Sequence, residues 1–273
     1  ERIATTSPYP YGRIRIWGTI GYALGSQLAG LIYDFVSPSA IFVTFVFTMA
    51  ISIIGLLGTS PHTKVIEKDE NEHQDHSFFK AILTNKKYIY YLLISAIFFG
   101  VTNMGHTFTP AYFQSEGLNI STVSIILSLA VVCEAPIVLF SYKFMDKIAN
   151  KKLMILAFCM VITLYSIYAF NLWLPLQVIA TFIVKHPAGM LFIMINLKVV
   201  NTLVDAKYQI TALAFVQTCR NLSSVIFQNI GGQILNVTTY QNMFLCALGV
   251  ITIGLIMTLL FKIPAGNDKG LFN

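Results

Sequence analysis

Four ionisable residues sit in stretches that otherwise carry no charge. Glu134 lies in the run STVSIILSLAVVCEAPIVLF, Lys185 and His186 in VIATFIVKHPAGMLF, and Arg220 in FVQTCRNLSSVIF. A charge at the centre of a bilayer costs roughly 2.5–3.5 kcal/mol on insertion scales, so each needs a physical reason. One reason is a buried ion pair, Glu134 with Lys185 or Arg220, that only holds helices in register. The other is a water-filled cavity that binds a polar solute or a proton. Burial favours a neutral carboxyl and a neighbouring cation favours a carboxylate. Alternating exposure would then let Glu134 load a proton on one side and release it on the other. His106, with Thr102, Asn103 and Thr107, forms a further polar patch, either a hydrogen-bonded structural histidine or a solute ligand. Asn196, Gln217, Gln228 and Asn229 pose the same choice. Tyr22 is either core or a ring that stacks on a bound ring, and Trp17 reads as core.

The elements that hold these residues are long and apolar. Hydrophobic residues make up 56% of the 273 and charged residues 11%, against about 25% charged in soluble domains. Eight stretches of spanning length cover residues 14–35, 40–57, 88–113, 121–142, 153–170, 174–197, 208–235 and 244–261. Lipid cannot satisfy free backbone N–H and C=O groups, so these spans are helices. The fold class is all-α, a polytopic membrane bundle of eight transmembrane helices. Gly18, Gly21, Gly25, Ala29 and Gly30 line one stripe of the first span, the pattern of a close helix-packing face. Pro110, Pro136 and Pro187 interrupt others and free carbonyls inside the membrane.

Charge fixes the topology. Of 18 Lys and Arg, all but Lys185 and Arg220, hence 16, fall in or at the edge of the N-terminal segment, 62–87, 143–152, 198–207 or the tail, with Arg15 at the start of the first span and Lys262 at the end of the last. The alternate connections, 34–39, 114–120, 171–173 and 236–241, hold none. Basic residues stay on the cytoplasmic side during insertion, which puts both termini there. The net charge of +6 is therefore an orientation signal and a contact for anionic lipid, with no nucleic-acid partner implied. Cys133, Cys159, Cys219 and Cys246 form no CxxC pair and read as buried reduced thiols. His73 and His76 with Asp75 lie in a solvated charge run, so no metal or other cofactor is expected. No Ser-His-Asp or HExxH pattern points to an enzyme.

Residues 1–57 hold two helices, 58–87 a polar cytoplasmic linker, 88–262 a six-helix bundle and 263–273 a cytoplasmic tail. The linker ends in SFFKAILTNKK, amphipathic enough to lie on the membrane surface. The chain starts at Glu1 without a Met or a signal-peptide pattern, which reads as the back part of a longer protein.

Two segments carry a family resemblance. SYKFMDKIANKKLM, residues 141–154, resembles the G-x-x-x-D-R-x-G-R-K loop of the major facilitator superfamily. Asp146, Lys147, Lys151 and Lys152 match its charges; Tyr142 and Ala149 or Asn150 replace its glycines. The resemblance implies that these four charges are gate parts that bridge helix ends. YGRIRIWGTIGYALGSQLAGLIYD, residues 11–34, is similar to the fifth helix of the lactose-permease-like branch, which includes oligosaccharide, nucleoside and phenylpropionate proton symporters. The resemblance places Arg15 at a sugar-binding arginine, Tyr22 at a ring-stacking position and Arg220 at a lysine of the eleventh helix. Glu134 falls about one turn from a ligand-binding glutamate. Lys185 stands at a histidine of the tenth helix, Ala188 replaces a coupling glutamate, and Gly100 and Asn103 replace aspartates. Glu134 is then the one deep acid left for proton coupling.

The chain so read is helices five to twelve of a partial major facilitator fold, missing its N-terminal helices. The implied function is proton-coupled transport of a small polar organic solute across the plasma membrane. Sugars or oligosaccharides lead, nucleosides and aromatic acids follow. Candidate solute ligands are Arg15, Tyr22, Asn103, His106, Glu134, Lys185 and Arg220. A reading of another class is a truncated or sensor-type membrane protein that moves nothing.

Overall fold

In the computed structural model of the chain, residues 16–21, 24–25, 28, 32, 36–37, 39–57 and 84–263 are described. Arg15 and Tyr22 lie outside them, as do most of the linker and the tail after Ile263. All regular structure among the described residues is helical. Residues 16–21, 24–25, 28 and 32 belong to a first helical stretch. We number the rest α1 (Ala40–Leu57), α2 (Lys86–Ser115), α3 (Ile120–Leu139), α4 (Asn150–Ala169), α5 (Leu174–Leu203), α6 (Gln209–Val237) and α7 (Tyr240–Leu260). The last six are long and apolar enough to cross a membrane, and α1 is a shorter apolar helix.

Short polar side chains start the helices. Asn85 Oδ1 accepts from the N–H groups of Lys87 and Tyr88, and Asn119 Oδ1 accepts from Thr122 at 2.7 Å. Both satisfy donors that a first turn leaves free. Asn171, with φ 43°, turns the chain between α4 and α5 in the left-handed region that asparagine tolerates.

Hydrogen bonds fix which helix ends lie together. Asn85 Nδ2 donates to Leu203 O at 2.8 Å, and Lys151 Nζ to Leu259 O at 2.6 Å. These join the starts of α2 and α4 to the ends of α5 and α7. At the opposite end Gln241 donates to Glu116, and Tyr112 donates to Asn171. The lysines of the 143–152 and 198–207 stretches thus share one end, as the charge pattern predicts.

Inside, close approach depends on glycines. A Cβ added at Gly100 would run into Ser223 and Phe227 of α6, at Gly105 into Tyr165 of α4, and at Gly254 into Phe158 of α4. Side chains seated directly on a glycine backbone bring the helices close and gain dispersion contacts. The aromatic core fills the remaining space: Phe98 stacks on Phe192 at 4.1 Å, with Phe99 and Phe158 edge-on. The stripe expected on the first helix is described at only some of its positions. Added Cβ atoms at Gly21 and Gly25 meet nothing within 4 Å, while Ala29 and Gly30 lie outside the described residues.

Four other expectations change. The fourth span is broken, with turns at Cys133 and Glu134. The sixth span continues to Leu203, so Lys198 lies in α5 and not in a loop. Cys133, Cys159 and Cys246 are exposed and Cys219 half-buried. Apolar spans have two apolar environments, protein and lipid, and thiols suit either. Trp17 likewise is exposed, not core.

A Gly105→Ala variant must displace the Tyr165 hydroxyl from its 3.0 Å bond to Val101 O. We expect it to lower stability by about 1–3 kcal/mol, read as a lower midpoint of thermal unfolding in detergent. Gly249→Ala, where nothing lies within 4 Å, should leave the midpoint in place.

Candidate functional site

Two of the three prolines place the ionisable residues directly. Pro136 has no N–H for the carbonyl of Val132, and its ring crowds that turn. The α3 ladder tightens there: Glu134 N reaches only back to Val131 O, at 3.1 Å. Glu134 therefore sits at a step between two helical pieces. Its Oε1 accepts from Thr19 Oγ1 at 2.7 Å, and Thr19 is buried. The first helical stretch and α3 meet at this bond.

Pro187 does the same in α5. Without its N–H, the preceding turn widens into a π-helical segment, Thr181–Lys185. Lys185 ends that segment and His186 follows it. The His186 ring lies 4.9 Å, centroid to centroid, from the ring of His106 on α2. Pro110, one turn after His106, removes the donor that would have served the His106 carbonyl. Lys185 and His106 line a cavity of about 10 Å³ with Thr102, Gly105, Thr109, Val161, Leu164 and Tyr165, room for roughly one water.

Arg220 makes a separate group. Its guanidinium lies 3.2 Å from the Phe99 ring centroid, and Nη1 donates to Gln217 Oε1 at 3.0 Å. A cation over a ring out of water is worth about 2 kcal/mol. Asn103 donates to Ser224 Oγ at 2.6 Å, and Ser224 donates to the Arg220 carbonyl. Asn103 therefore ties α2 to α6. The polar patch around His106 is thus divided. Thr102 Oγ1 turns back to Phe98 O, and exposed Thr107 to Asn103 O.

The ion pairs considered from sequence, Glu134 with Lys185 or Arg220, do not form: the ion pair among the described residues is Lys198 with Asp146, at 3.7 Å. Lys198 Nζ also donates to Met145 O at 2.6 Å, and both charged side chains are buried. Asp146 thus bridges to α5 and not to its own motif's lysines. Lys151 reaches the end of α7, while Lys147 and Lys152 are exposed.

Sequence reasoning missed Lys198, Thr19, Phe99 and Tyr165. Lys198 had a signal in the apolar residues Val199, Val200 and Leu203, which carry the helical pattern past it. Thr19, Phe99 and Tyr165 are ordinary residues for a span, and only the fold brings them to the charges.

Residues 7–228 match the family model of the Major Facilitator Superfamily. An uncharacterized transporter, YwbF, of Bacillus subtilis (strain 168) is 24% identical over 220 residues, covering 77% of this chain and 52% of that protein. A probable 3-phenylpropionic acid transporter of Escherichia coli (strain K12) is 25% identical over 194 residues, 68% of this chain and 50% of that protein. The chain spans about half the length of these curated relatives.

Lys198→Met would leave the Asp146 carboxyl buried without its ammonium, and we expect a loss of about 3 kcal/mol or more. In denaturant titrations the Asp146→Asn/Lys198→Met pair should cost less than the two single changes added, by about 1–3 kcal/mol. Simple additivity would mean the pair does not interact.

Proposed function

This chain belongs to the Major Facilitator Superfamily, and on that premise we propose that the complete protein carries a small polar organic solute across a membrane by alternating access, coupled to protons. The transporter names of both relatives support transport over enzymatic chemistry. The observation that carries the reading is the Thr19–Glu134 bond. It joins the first helical stretch to α3 at a proline-made step, the kind of contact that must open if two helix groups rock about a site. Glu134 is the acid we assign to the proton. Protonating it removes the charge that strengthens the bond to the Thr19 hydroxyl, so proton binding and separation of the two elements favour each other.

Arg15, Tyr22, Asn103, His106, Glu134, Lys185 and Arg220 are our solute ligands, with Arg15 and Tyr22 outside the described residues. Asp146 and the lysines 147, 151 and 152 are our gate, with Lys198 added as the partner Asp146 holds. Sugars, nucleosides and aromatic acids are the candidate solute classes. The name of the 3-phenylpropionic acid relative supports the acid. The end that gathers the lysines is the cytoplasmic one in this reading, and the plasma membrane is the setting.

The test is Glu134→Gln in the full-length protein, reconstituted in vesicles. Uphill accumulation driven by a pH gradient should fall to the passive level, while exchange of solute for solute continues. A Glu134→Gln protein that still accumulates solute against its gradient would remove Glu134 from the coupling role.

A further inference from the structure

Lys185 is 7% exposed at the middle of α5, and no carboxylate among the described residues pairs with it. Asp146 holds Lys198 and Glu134 holds Thr19. Glu116 accepts from Gln241 at the far end of the bundle. A buried ammonium with no counter-charge is unfavourable in a membrane interior. Lys185 instead borders the small cavity between α2, α4 and α5.

The walls of that cavity select its contents. Thr102 and Thr109 donate their hydroxyl hydrogens to their own helix, to Phe98 O and Gly105 O, and Tyr165 donates to Val101 O. The lining residues whose polar groups are not spent in this way are Lys185 and His106, with the His186 ring 4.9 Å from His106. Val161, Leu164 and Gly105 supply apolar wall. Room for roughly one water suits a single anionic oxygen and excludes a pyranose or a base.

We propose that Lys185 is the anchor for the carboxylate of an organic monocarboxylate solute, one oxygen of which enters this cavity beside His106. The proposal rests on the transport reading and narrows its solute to acids. Lys185 is then the specificity-determining residue: an acid supplies the missing counter-charge and a neutral isostere does not.

The test uses purified full-length protein and thermal unfolding with 3-phenylpropionate, 3-phenylpropionamide or chloride as the probe. The acid should raise the unfolding midpoint and the amide should not. Lys185→Met should weaken acid binding about tenfold or more, and Lys185→Arg should keep most of it. Without ligand, Lys185→Met should unfold at or above the wild-type midpoint, because it removes an unpaired buried charge; a purely structural lysine would give a lower one. Equal stabilisation by acid and amide, unchanged acid binding in Lys185→Met, or stabilisation by chloride with no further effect of the acid would each overturn the assignment. Solute exchange in vesicles separates the two levels. Exchange of lactose or uridine without the acid keeps transport and refutes the carboxylate anchor, whereas exchange of none of the three refutes transport itself.

Discussion

In hydrocarbon, a backbone carbonyl that loses its donor has no water to replace it. This bundle accepts that cost at three prolines, and Glu134, Lys185, His186 and His106 lie within a turn of them. Glu134 precedes Pro136 by two residues, Lys185 precedes Pro187 by two, and His106 lies one turn before Pro110. The break in α3 and the π-helical turn in α5 each shift a side chain off the regular helical spacing. A regular helix would direct these residues by its ordinary repeat. The broken ones turn Glu134 to Thr19 and Lys185 to the α2–α4 cavity.

The same shortage of partners governs the helix ends. Final carbonyls need donors, and at the lysine-bearing end these come from neighbouring elements: Asn85 to Leu203, Lys151 to Leu259 and Lys198 to Met145. The opposite end is held by rings and amides, with Tyr112, Tyr168, Phe244, Asn171 and Gln177 in one connected group. One end is therefore closed by charged, long side chains and the other by rigid aromatic packing.

Much of the fold was readable because lipid imposes simple rules. Hydropathy located the spans of α2 to α7 to within a few residues, except where Lys198 ended the sixth span too early. A lysine can lie inside a helix end when its head reaches a partner, and composition does not reveal that partner. The site was legible by residue type but not by pairing. Glu134, Lys185 and Arg220 stood out because each is costly in lipid. Their partners, a threonine, a cavity and a phenylalanine ring, are unremarkable in an apolar span. The exposed cysteines follow from the same ambiguity, since a residue that avoids water can face lipid as readily as protein.

The proposed alternating access requires the first helical stretch and α3 to separate at the Thr19–Glu134 contact. The most direct test places spin labels at the exposed positions Ser39 and Ser121 of the full-length protein, with native cysteines replaced, and measures their distance by pulsed electron resonance in lipid. Two distance populations whose ratio changes with pH and with bound solute are the predicted result. A single distance, unmoved by either, would contradict it.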